Sequence, residues 1–214
     1  SPAPVGPENA VLHGVYFQKA LDSLPGLDPR DMLDVGWGSG DYSVFLARRF
    51  PKAAIRGIDV DAALVAETSE NVRELGLPNV RFQVQDVCTL DPTERFDLVV
   101  AIDVLEHIKE QATALERLAS CLRPGGVAFL HLPTVRHRPV PFSTALQAFH
   151  EWGEKEHVAE EQTAELFTQA VRDAGLQVES VTRTFGYYTG ELATSLFALP
   201  FRRSRKNEIL QAAR

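Results

Sequence analysis

Between residues 31 and 132 short apolar runs alternate with longer stretches in which apolar residues recur every three to four positions. The runs read as buried strands and the longer period as helices that lay one face on a sheet. The pattern predicts strands over 31–36, 54–59, 80–86, 96–102 and 126–132, with helices over 41–50, 61–75 and 109–122, the second stopped by Gly76. A leading helix over 11–24 places Val11, Leu12, Val15, Tyr16, Ala20 and Leu21 on one face. Farther on, Leu166, Phe167, Ala170, Val171 and Ala174 form the stripe of a helix over 163–174 ended by Gly175, and a strand follows over 177–185. Alternating β and α elements with short links predict a doubly wound α/β fold, with a mostly parallel sheet, helices on both faces and ligands at the C-terminal strand ends. The last apolar segment, Leu192–Phe201, reads as helix at least as well as strand, which leaves the final strand of the sheet open.

Two regions break this rhythm. Residues 133–160 carry Pro133, Pro139 and Pro141, the aromatics Phe142, Phe149 and Trp152, and, counted from His131, four of the six histidines. An irregular insertion of that length over the open end of a sheet is expected to be functional, and it reads as a substrate lid. Residues 1–10 are rich in Pro and Gly and are expected to be disordered; the start at Ser1 reads as a processed or trimmed end. The chain is thus expected to hold one domain over 11–201, followed by a basic tail over 202–214.

Composition narrows the function classes. A chain of 214 residues that is 44% hydrophobic suffices for one sizeable α/β core. Two cysteines, Cys88 and Cys121, make no disulfide framework, and no run suits a membrane span, so the expected setting is soluble and cytoplasmic. The net charge of −7 is uneven: Arg202, Arg203, Arg205, Lys206 and Arg214 face only Glu208 in the tail, leaving 17 bases against 28 acids in the body. An acidic body offers little attraction to nucleic acid. The apolar segment followed by Arg202–Lys206 would suit contact with an anionic membrane surface, although ordinary packing with a solvated basic end is the simpler reading.

The densest chemistry lies in Asp34-Val-Gly36-Trp37-Gly38-Ser-Gly40, where a strand stops on three alternating glycines and turns into a helix. Such a turn lets backbone N–H groups and a helix N-terminus approach a ligand with no side chain between, which suits a nucleotide-like cofactor. The spacing is G-x-G-x-G rather than the G-x-G-x-x-G of dinucleotide enzymes, and Asp59 follows Gly40 by 19 positions at the end of the second strand. An acid there can accept from both ribose hydroxyls. On these residues alone a nicotinamide or flavin enzyme stays open.

Six motifs decide between them: Asp34 to Gly40, Gly57-Ile-Asp59-Val60, Gln85-Asp86-Val87, Phe96-Asp-Leu-Val-Val100, Asp103-Val-Leu-Glu106-His107 and Leu122-Arg-Pro-Gly-Gly126. In this order and spacing the chain resembles class I S-adenosylmethionine-dependent methyltransferases, and within them the small-molecule branch that includes ubiquinone-type O-methyltransferases. The resemblance covers about residues 30–132. It implies a Rossmann-like seven-stranded-type sheet, S-adenosylmethionine as methyl donor, and a small hydroxylated or amino acceptor, in a monomer or homodimer. It further implies that Gly36 and Gly38 meet the methionine end, that Asp34 polarises the loop, that Asp59 and Val60 flank the ribose, that Asp86 and Val87 meet the adenine, and that Asp103 lies against the donor. Trp37 departs from the family, which favours a small residue there; its indole is expected either beside the donor or as core filler.

Methyl transfer from a sulfonium is an in-line displacement that needs alignment and, for a hydroxyl or amine, removal of a proton. His107, after the fourth strand, is the expected general base, since the ordinary histidine pKa near 6.5 suits that task. A rival reading makes Asp103, Glu106 and His107 part of a metal site with His131 or His157, as in small-RNA 2'-O-methyltransferases; a third leaves Glu106 and His107 as structural caps. His131, His150, Trp152, His157 and Tyr16 are the expected acceptor contacts, with Tyr187 a weaker one. A cofactor-binding partner protein without turnover is the alternative from another class, and Trp37 is the residue that would favour it.

Overall fold

The computed structural model describes residues 15, 17–24, 26–38, 40–134, 163–183 and 194–203. The expected disordered N-terminus, most of the 133–160 insertion, Tyr16, Tyr187 and the tail beyond residue 203 lie outside them. Strands β1 (Asp31–Val35), β2 (Ala54–Asp59), β3 (Val80–Val84), β4 (Phe96–Ile102), β5 (Leu122–Thr134), β6 (Leu176–Arg183) and β7 (Thr194–Arg203) form one sheet in the order β3-β2-β1-β4-β5-β7-β6. The first five run parallel, and β7 lies antiparallel to both β5 and β6. Helices α1 (residues 17–22), α2 (Asp41–Arg49), α3 (Ala62–Glu74), α4 (Gln111–Cys121) and α5 (Ala164–Asp173) complete the described fold. Among the described residues no helix is long and apolar enough to cross a membrane.

The central strands are apolar on both faces, as a parallel sheet between two helix layers requires. Successive side chains point to opposite faces. Leu33, Val35, Val99, Ala101 and Leu130 therefore join Leu115, Leu118, Phe167 and Val171 of α4 and α5. Met32, Leu98, Val100 and Phe129 meet Phe17, Leu21, Leu46, Ala47 and Val72 of α1, α2 and α3. The same alternation puts Asp34 and His131, two polar residues in otherwise apolar runs, on the α1–α2 face. Phe17 anchors α1 there, its ring 4.8 Å from Phe129 and 5.2 Å from Tyr42.

Two boundaries differ from the sequence reading. Leu122 pairs with Phe96 before the register shifts to Leu98↔Val127, so Arg123–Gly126 is an irregular excursion inside β5, which starts earlier than expected and runs on to Thr134. The last apolar segment is a strand, with Ala198 opposite Leu130 of β5 and Val181 of β6. Its local pattern allows a helix, but β5 and β6 run in the same direction and leave two edges whose backbone groups only an intervening strand can pair.

Candidate active site

The order of strands reverses at β1, which has β2 on one side and β4 on the other, and this switch opens a crevice beyond the C-terminal ends of β1 and β4. The glycine loop fills the near wall. Gly36 donates its N–H to the Ile58 carbonyl at 2.9 Å and takes φ +63°; a Cβ there would stand 2.3 Å from Val104 Cγ2, so the loop passes too close to the β4 end for any side chain. At Gly38 the opposite holds, because a Cβ would meet nothing within 4 Å and the loop borders open space. Gly40 begins α2 in the left-handed region, with no side chain capping that helix.

Asp34 lies under this loop, 2% exposed, accepting a 2.5 Å hydrogen bond from the Ser43 hydroxyl of α2. Burial pushes its carboxyl up to about 6 from an ordinary 3.8, and the Ser43 bond only partly offsets this. The folded state thus holds the proton more tightly than the unfolded chain, so stability declines as pH rises from about 4 to about 6 and stays lower above, by about 3 kcal/mol from this group. A ligand ammonium would reverse that penalty. Asp34→Asn is therefore expected to raise the melting temperature of the unliganded protein at pH 8, with a smaller gain at pH 5, and to weaken donor binding about tenfold or more. Melting curves at the two pH values check it, and a fall in stability at pH 8 would contradict it.

Farther along the crevice, Asp59 ends β2 and accepts from the Asp61 N–H at 3.0 Å. Val60 and Val84 stand 70% and 55% exposed at the ends of β2 and β3. Asp86 accepts the Cys88 N–H at 2.8 Å and so caps the short 3-10 helix Val87–Thr89, while the Val87 side chain is buried.

Beyond β4 the chain turns at Asp103, the only non-glycine residue with positive φ (+52°) among the described ones. The Asp103 N–H donates to the His131 carbonyl at 3.0 Å, and its Oδ1 lies 2.5 Å from His131 Nδ1. An ionised carboxylate only accepts, so the imidazole Nδ1 carries that proton. The 3-10 helix Leu105–His107 follows, with Glu106 buried and the His107 side chain 43% exposed, Nε2 3.9 Å from Glu106 Oε1. Burial, then the Asp103 charge, raises the Glu106 carboxyl well above its usual range; burial, then Asp103 and Asp34, does the same to the Tyr42 phenol. Among the described residues no three of His, Cys, Asp and Glu converge as metal ligands.

Trp37 takes one of its two expected places, in the core, while His131 turns inward. The indole is 3% exposed, 4.4 Å from the Phe82 ring, and lies over Gly57, where a Cβ would be 2.2 Å from Phe82 and 2.9 Å from the indole. Only its backbone belongs to the loop surface. His131, expected at the acceptor, is fully buried and turned to Asp103. His150, Trp152 and His157 lie outside the described residues. Tyr42 and Ser43 went unnoticed in the sequence, although the buried stripe of Ser43, Leu46 and Ala47 places the first turn of α2 against the loop.

A loop of alternating glycines over the switch point, acids ending successive parallel strands and an antiparallel β7 together define the class I, S-adenosylmethionine-dependent methyltransferase fold. Residues 32–126 match the methyltransferase domain family, and the chain carries a methyltransferase domain of this class. Among similar proteins is a trans-aconitate 2-methyltransferase of Methylobacterium nodulans, 34% identical over 119 residues, which are 56% of this chain and 44% of that enzyme. The chain spans about half the length of such relatives. Of solved structures, the N-methyltransferase NodS of Bradyrhizobium japonicum with S-adenosylhomocysteine superposes with a TM-score of 0.68 at 19% identity, covering 94% of this chain and 89% of that one. The [4+2]-cyclase SpnF does so with 0.69 at 20%, covering 88% and 80%. Both likenesses speak for the fold alone, and a cyclase among them shows that the fold leaves the reaction open.

Proposed function

We propose that the protein transfers the methyl group of S-adenosylmethionine to a hydroxyl or amine of a small molecule. The observation that supports this best is the glycine loop bordering open space at the end of β1, with the half-exposed imidazole of His107 in the turn that follows β4, the neighbouring strand. The residues fit the donor: Asp34 suits its ammonium, Asp59 its ribose hydroxyls, the Val60–Val84 pair and Asp86 its adenine, and Gly38 leaves space that a side chain would fill. The bound donor supplies an activated methyl group. The chain then aligns the acceptor, excludes water and takes the acceptor proton at a ring nitrogen of His107. Acceptor selection falls to the 133–160 insertion, which follows β5 in the sequence. The narrower placement among ubiquinone-type O-methyltransferases rests on motif order alone.

The trans-aconitate relatives favour a second reading, methylation of a carboxylate, which is already anionic and needs no base. The described rim, with Asp59, Asp61, Asp86 and Asp103, repels such an acceptor. Labelled methyl transfer followed by mild hydroxide separates the two. A base-stable product is expected, and a labile methyl ester would replace this reading with the second.

A further inference from the structure

From the clasp between β4 and β5 we infer that His131 is a positioning residue, which holds the Asp103 carboxylate at the crevice so that it recognises the positive charge on the amino-acid half of the donor. The inference rests on the donor reading above and adds a residue to it. Two local choices break the rules of their own elements. A left-handed turn at 103 is easiest for glycine, and among the described residues Asp103 is the one non-glycine residue that takes it. An imidazole at 131 sits fully buried beside Ala128, Phe129, Leu130 and Leu132, where leucine would pack without a polar group to satisfy.

The two anomalies explain each other. The Asp103 N–H on the His131 carbonyl and the imidazole on Oδ1 grip the residue at two points, backbone and side chain. One oxygen is held from within the sheet while 35% of the Asp103 side chain stays accessible at the crevice. Its negative charge falls on Tyr42 and Glu106 and, after burial, pushes the phenol and the carboxyl up. A carboxylate held in place at the C-terminal end of β4 is built for a cation. A merely structural turn needs neither the charge nor the buried ring.

The test titrates wild type, Asp103→Asn, His131→Leu, His131→Asn and the Asp103→Asn/His131→Leu double variant with S-adenosylmethionine and with 5'-methylthioadenosine, which keeps the nucleoside but lacks the sulfonium and the amino-acid group. His131→Leu and Asp103→Asn are each expected to lose about tenfold in S-adenosylmethionine affinity, as removal of a charge-assisted contact does. The double variant should lose no more than either single one, because both break the same contact. His131→Asn, whose side-chain amide can take the place of Nδ1–H, should stay within about threefold of wild type. Methylthioadenosine affinity should be the same in all. Equal losses for both ligands, additive losses in the double variant, or unchanged S-adenosylmethionine binding in His131→Leu would each overturn the positioning role. Wild type binding neither ligand would instead remove the donor reading beneath it.

Discussion

His107→Ala is expected to slow methyl transfer to a hydroxyl or amine acceptor by about 10²–10⁴-fold while leaving donor affinity unchanged, the range that loss of a general base produces. The imidazole stands 43% exposed at the end of the turn after β4, beside a buried Glu106. The loss should therefore fall on kcat, with the melting temperature preserved. Single-turnover transfer across several pH values, with donor binding measured separately, checks it. Transfer within about threefold of wild type at every pH would show that no base is used, the outcome expected of a carboxylate acceptor.

Trp37→Ala is expected to destabilise the fold by about 3–5 kcal/mol, as truncation of a large buried aromatic does. The indole fills the space over Gly57 and packs on Phe82, so truncation leaves a cavity walled by Phe82 and Thr68, the side chain that faces Gly40. Its Nε1 has no hydrogen-bond partner among the described residues, an unmet group whose removal returns part of the loss. Donor affinity measured below the melting transition should change little, because the side chain lies in the core and not over the loop. Chemical denaturation of the variant gives the energy. A stable Trp37→Ala protein that binds the donor much more tightly would mean that the indole obstructs the site.

Much of this was legible in the chain. Apolar runs with period 2 or none located β1, β2 and β4, and the position of Asp34, Asp59 and Asp103 at their ends follows once the sheet is parallel. Two kinds of information were missing. The final strand is decided by two unpaired edges far away in sequence, β5 and β6, which no local pattern contains. The destination of His131 depends on strand parity together with the turn at Asp103; the sequence places a histidine near the open end of the sheet, but only the register Ile102↔His131 turns it toward Asp103. Trp37 is a case of the same kind, since its place is set by the absence of a side chain at Gly57 on the next strand.

Calorimetric titration of the full chain with S-adenosylmethionine, alongside S-adenosylhomocysteine and NADH, tests the central claim most directly. Micromolar-range binding of both sulfur compounds and none of NADH is the predicted result. Failure to bind either sulfur compound, or preferential binding of NADH, would contradict the assignment of this crevice to a methyl donor.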